Sequence, residues 1–96
     1  MGIKEEIISK LEIILKKMKE KHGIEGNLEV NLGTMVEKSK GSSSDISITC
    51  FALAKPFKKS PVDIANEIAE NLEKEKLSYI EKIEVINGYV NIFLNR

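Results

Sequence analysis

Tyr89 and Asn91 stand two residues apart, a spacing that puts both side chains on one face of a β-strand. A phenol ring offers a flat surface for stacking, and a carboxamide offers a donor and an acceptor in one plane. The pair suits an unpaired nucleobase, with the ring on its face and the amide on its edge. Lys55, Lys58 and Lys59 form a local cluster of positive charge. They lie just ahead of a predicted helix N-terminus, an end that favours anions such as phosphate. Three solvated surface lysines are the plainer reading of the same pattern.

The element that must position Tyr89 and Asn91 is the stretch from Ile80 to Leu94. Two alternating runs flank Asn87-Gly88, the strongest short signal for a β-hairpin with a type I′ turn, in which both turn residues need φ > 0. A two-residue loop sets the register: Ile86 opposite Tyr89, Val85 opposite Val90, Glu84 opposite Asn91 and Ile83 opposite Ile92. One face then carries Ile83, Val85, Val90, Ile92 and Leu94, a core face. The other carries Lys82, Glu84, Ile86, Tyr89, Asn91 and Phe93. By pattern alone, that second face fits a site, but a surface lying under a helix is the plainer reading.

Composition narrows the classes. Ninety-six residues imply one small domain, 1–96, with a modest core. Lys and Arg balance Asp and Glu at 15 each, so no overall positive field drives binding to a phosphate backbone. Any grip on nucleic acid is therefore local. A single cysteine, Cys50, allows no internal disulfide and no cysteine-based metal cluster, and reads as a small buried apolar residue. His22 is the only histidine, and it reads as a solvated cap at the end of a helix. No apolar run reaches membrane-spanning length and no secretory signal is present, so a cytoplasmic chain without a membrane partner is expected. No nucleophile, acid–base pair or metal constellation appears, so neither an enzyme nor a cofactor is expected.

In chain order, Ile3, Ile7, Leu11, Ile14, Leu15 and Met18 recur at helical spacing and predict an amphipathic helix over about 2–21, stopped by Gly23. Gly26-Asn27 reads as a turn, and Leu28, Val30 and Leu32 alternate as a short strand would. Residues 34–37 are ambiguous. Residues 38–44 form a polar, Ser-rich loop without the Gly-Lys-Ser/Thr ending of a phosphate-binding loop. Over 45–55, alternation and β-branched residues favour a strand, while Ile46, Cys50 and Leu53 also fit one helix face; local rules leave both open. Pro56 is expected to break whatever precedes it. Ser60-Pro61-Val62-Asp63 opens a helix over about 60–76, with Ser60 as cap and Asp63 placed to reach back. The fold class is α+β: a small antiparallel sheet, closed by the hairpin at about 80–94, packed against these helices.

Two stretches together resemble a known family. Leu53-Ala54-Lys55, Lys58-Lys59-Ser60-Pro61, Ile64-Ala65 and Leu72 are similar to the "LAK…KSPxxIAxxIxxxL" segment of the N-terminal additional domain of arginyl-tRNA synthetases. Ile83 to Leu94 resembles that domain's closing "VEVxGxGFINxFL" hairpin, and the Asn-Gly-Tyr form resembles archaeal members most. The resemblance implies an α+β domain that contacts the D-loop side of the tRNA elbow, away from the catalytic centre. It implies that Tyr89 and Asn91 meet a D-loop base. The family has a further polar residue just upstream of the aromatic, for which Asn87 is the nearest counterpart, although the turn also needs Asn87. The family usually opens the helix ending in Leu-Ala-Lys with Gly-Asp; here the region reads Ser43-Ser44-Asp45, and Asp45 aligns only with a one-residue gap. Nothing resembles the "HIGH" or "KMSK" signatures of the synthetase catalytic domain, so the chain is not expected to activate arginine.

Two functions from different classes follow. One is an RNA-binding module for the D-loop of arginine tRNA or another structured RNA, using Tyr89, Asn91, Asn87, Lys55, Lys58 and Lys59. The other is a module that contacts a synthetase or another protein and has kept the fold without the RNA site.

Overall fold

A computed structural model of the chain describes residues 2–26, 28, 30–39 and 44–95. Helix α1 (Ile3–Lys21) comes first, followed by a single turn, α2 (Leu32–Met35), and strand β1 (Val36–Lys38). Strand β2 (Ile46–Thr49) runs into helix α3 (Phe51–Phe57), and α4 (Pro61–Lys74) precedes the hairpin of β3 (Ile80–Ile86) and β4 (Tyr89–Leu94). The four strands form one antiparallel sheet in the order β1-β2-β4-β3. The expected α+β class with a closing hairpin is the observed one.

The hairpin register is the predicted one, with Ile86↔Tyr89, Val85↔Val90, Glu84↔Asn91 and Ile83↔Ile92; an irregularity between Ile80 and Lys82 then shifts the pairing. The turn differs from the predicted type. Asn87 has φ +54°, but Gly88 does not lie at positive φ. Gly88 is required for space instead, because a Cβ there would stand 2.7 Å from Pro61 Cβ and 3.0 Å from the Phe51 ring.

One face of the sheet meets the helices. Ile46, Ile48, Val90 and Ile92 are buried there against Ile7, Leu11, Ile14 and Met18 of α1 and Ile64, Ile68 and Leu72 of α4, all in one apolar cluster. Helix α1 ends with Gly23 at φ +66°, and the Gly23 and Ile24 N–H groups donate to the Glu20 and Lys19 carbonyls. This is the left-handed glycine cap that closes orphan carbonyls. Helix α4 begins as predicted, with the Asp63 N–H donating to Ser60 Oγ at 3.2 Å and Pro61 at the first turn. The reciprocal bond from the Asp63 carboxylate is not formed.

Several expectations are corrected. Residues 28–32 form no strand among the described positions; Leu28, Val30 and Leu32 are half-buried against the core, and Leu32 opens α2. Their alternation reports which side chains face inward, while a strand also needs a neighbour, and β1 is already the sheet edge. Asn31 instead caps α2 by accepting from Gly33 N–H at 2.9 Å. Lys38 belongs to β1, not to the polar loop. Residues 40–43 of that loop, and Asn27 of the expected turn, lie outside the described residues. The ambiguous 45–55 stretch is both things in succession: period two to Thr49, then Leu53 and Phe57 buried at helical spacing. Pro56 sits inside α3, in its last turn, because burial of Leu53 and Phe57 outweighs one lost helical hydrogen bond. His22 does cap α1 but is not solvated: Nε2 lies 2.9 Å from Glu67 Oε1, and the ring meets Phe57 edge-on at 6.0 Å.

Cys50 is fully buried between β2 and α3, and burial pushes its thiol up from the ordinary 9.0 to about 12. Tyr79 shifts the same way, through burial and then the nearby Glu6 carboxylate. Above the ordinary value, an unfolded thiol has lost its proton while the folded one still holds it. The Cys50 contribution to stability is therefore fully present below about pH 9 and is lost as pH rises towards about 12. Urea melts across that window should show the fall, and Cys50→Ala should lessen it, leaving the part due to Tyr79. Iodoacetamide should label the unfolded chain and spare the folded one.

Candidate functional site

The other face of the sheet is uncovered. Its side chains fall in rows set by the strand register. Thr49, Tyr89 and Ile86 form one row, and Glu37, Ser47, Asn91 and Glu84 form the next. Phe93 and Lys82 form a third. Tyr89 is 39% exposed and Ile86 50%, so the alternative of a face buried under a helix does not hold. Lys82 Nζ sits 4.4 Å above the Phe93 ring and 3.0 Å from Glu84 Oε1. The third row is thus closed on itself by a cation over a ring, and Tyr89 is the more exposed of the strand's two rings.

Asn91 is held by hydroxyls. Ser47 Oγ donates to Asn91 Oδ1 at 2.6 Å, and Ser39 Oγ lies 2.7 Å from both Ser47 Oγ and Ser44 Oγ. Ser47 gives its one proton to the amide oxygen, so across the Ser39–Ser47 pair Ser39 is the donor. The two N–H groups of Asn91 Nδ2 have no partner among the described residues, and so remain as donors on the half-buried amide. Asp45 does not open a helix. Its backbone N–H donates to the Ile92 carbonyl and its Oδ2 accepts from Leu94 N–H, both at 2.9 Å, so it ties the start of β2 to the end of β4.

The hairpin turn docks onto the starts of α3 and α4. Cys50 N–H donates to the Gly88 carbonyl at 2.9 Å, and Pro61 and Phe51 close over Gly88. Phe51, the first residue of α3, meets Tyr89 edge to face at 5.3 Å and 76°. Asn87 is exposed in the turn, and its positive φ confirms that the turn uses it. Lys55 lies in the last turn of α3, with Lys58 and Lys59 just beyond it, all exposed and without ion pairs among the described residues. Lys58 takes φ +54°, a position glycine usually fills. The structure therefore brings Tyr89, Asn91 and Asn87 onto one hairpin, while the lysines stand on the neighbouring α3–α4 corner, with no hydrogen bond joining them to Tyr89 or Asn91.

Sequence reasoning passed over Phe51 and the serines. Ser47 alternates between Ile46 and Ile48, which is a legible sign of an outer position, but its partner on β4 is not local. Phe51 lies where strand gives way to helix, so no single period places it. Grooves elsewhere run between α1 and Leu28, Val30 and Leu32, and between the start of α1 and β1–β2. Neither includes Tyr89; the candidate site is a face, not a cleft. Among the described residues no group of three or more His, Cys, Asp or Glu could hold a metal, and no helix is long and apolar enough to cross a membrane.

The family model described as "Arginyl tRNA synthetase N terminal domain" matches residues 3–94. The chain belongs to the arginyl-tRNA synthetase N-terminal domain family. Relatives agree with that placement. An arginine–tRNA ligase of Thermococcus sibiricus is 38% identical over 94 residues, covering 97% of this chain and 14% of the relative. The Archaeoglobus fulgidus arginine–tRNA ligase is 55% identical over 47 residues, covering 49% of this chain and 8% of the relative. The solved Thermus thermophilus arginyl-tRNA synthetase superposes with a TM-score of 0.73 at 25% identity, over 98% of this chain and 14% of that one. The chain thus spans a small part of the length of the relatives it matches. The structure also shows why the two motifs of this N-terminal domain occur together. Leu53, Ile64, Ala65 and Leu72 of the first are core residues, and Pro61 of the first packs on Gly88 of the second.

Proposed function

We propose that the chain is a tRNA-binding module of the arginine–tRNA ligase system, folding as one unit over 1–96 and acting in the cytoplasm. It contacts the D-loop side of the arginine tRNA elbow and does not itself carry out aminoacylation. The observation that carries this reading is the open β-face on which Tyr89 presents an exposed ring, flanked edge to face by Phe51, beside an amide whose two N–H donors have no partner among the described residues. Stacking and edge donation are the two contacts by which an unpaired base is read. Lys55, Lys58 and Lys59, without ion pairs among the described residues, support the phosphates nearby. The zero net charge fits a local, shape-dependent grip rather than a sequence-blind one.

A fluorescence-anisotropy titration with arginine tRNA, and with the same tRNA carrying altered D-loop bases, tests it. Tyr89→Ala should weaken binding by roughly 1–3 kcal/mol, about 5- to 150-fold, with little change in melting temperature. Equal affinity for both tRNAs, together with no effect of Tyr89→Ala, would sink the reading. It would leave the face as a surface for a synthetase or another protein.

A further inference from the structure

This inference rests on the reading of the open face as an RNA site and adds a residue to it. Phe51, Ile86 and Tyr89 are three of the large apolar side chains the fold leaves exposed, and they meet at the hairpin turn. Phe51 is 51% exposed, whereas Leu53 and Phe57 of the same short helix are buried. Packing the core therefore does not account for a ring at position 51.

Its position is nonetheless closely held. The Cys50 N–H bond to the Gly88 carbonyl fixes the start of α3 against the turn, and the missing side chain at Gly88 is the space the Phe51 ring occupies. The two rings stand at 76° with centroids 5.3 Å apart. Two rings at that angle make a corner with two apolar walls, and Ile86, opposite Tyr89, extends one of them. Lys55 follows Phe51 by four residues, so both project from one side of α3.

We infer that Phe51 is a second base-contacting residue. Tyr89 and Phe51 together hold one unpaired nucleobase in the corner, and Lys55 takes a phosphate of the same strand. A planar heterocycle uses every part of this surface: the two walls for its faces and edges, the Asn91 donors for its acceptors, and the lysine for its backbone. An apolar protein side chain would fill the corner and leave the Asn91 donors without a partner.

The test uses anisotropy titrations of the full chain with a transcript of arginine tRNA at fixed salt. The proteins are the parent, Tyr89→Ala, Phe51→Leu and Phe51→Tyr, each shown to be folded by circular dichroism at the working temperature. Phe51→Leu keeps an apolar group and removes the flat face, so binding should weaken about five-fold or more, the low end of the stacking range. Phe51→Tyr should bind as the parent does. Phe51→Met serves in place of Phe51→Leu if leucine disturbs the fold. If Tyr89→Ala weakens binding but Phe51→Leu matches the parent, Phe51 is no part of the RNA site and the inference alone is overturned. If neither change has an effect, the reading of the whole face falls with it.

Discussion

Leu53→Ala lowers the stability of the folded chain by about 2–5 kcal/mol, the usual result of emptying a well-packed leucine site. Leu53 is fully buried, in one cluster with Phe57, Ile64, Ile68 and Val90. Small domains hold only about 5–15 kcal/mol in total, and one of this size loses about 4–8 °C of melting temperature per kcal/mol. Thermal and urea melts measure the effect directly. The substitution lies on the inner side of α3, so RNA affinity at a temperature where the variant is still folded should match the parent. A melt unchanged from the parent would show that this position is not held by its packing. The expectation also separates two roles within one motif. In Leu53-Ala54-Lys55 the leucine is core, and the lysine is the part free to meet a ligand.

Gly88→Ala damages both the fold and the site. The new Cβ would stand 2.7 Å from Pro61 Cβ and 3.0 Å from two Phe51 ring atoms. Neither neighbour yields easily: Pro61 is a ring at the start of α4, and the start of α3 is held to the turn by the Cys50–Gly88 bond. Overpacking of this kind costs about 1–3 kcal/mol. Because the relief must come from moving Phe51 or the turn, tRNA affinity should fall more than the loss of stability explains. Asn87→Gly is the contrasting variant. It relieves a side chain held at φ +54° and adds no contact, so it should melt near the parent. A Gly88→Ala chain that melts and binds as the parent would show that the turn has room the structure denies it.

Much of this was legible locally. The Asn-Gly signal between two alternating runs is enough to pair Ile86 with Tyr89 and Glu84 with Asn91, because a two-residue loop leaves one register. The ends of α1 and α4 were legible for the same reason, since Gly23 and Ser60 act on backbone groups within a few residues of themselves. The two family motifs were legible as residue types at fixed spacings.

What the sequence alone determined, then, is whatever one period or one cap can specify: the long helices, the hairpin, its register and the pairing of a ring with an amide. Whether the hairpin's second face is open or covered was decided only by the tertiary structure. It depends on which side of the sheet α1 and α4 take, and their apolar stripes say that they need a sheet without saying which face. The switch from β2 to α3 at Cys50 was decided there too, since the two periods overlap across it and the burial of Ile48 and Leu53 settles where each ends. So were the surroundings of the candidate site. Ser47 reaches Asn91 across 44 residues of chain, and Phe51 reaches Gly88 and Tyr89 across nearly as many. No local preference encodes such contacts; they exist because β2 lies beside β4, and that neighbour is chosen when the core closes.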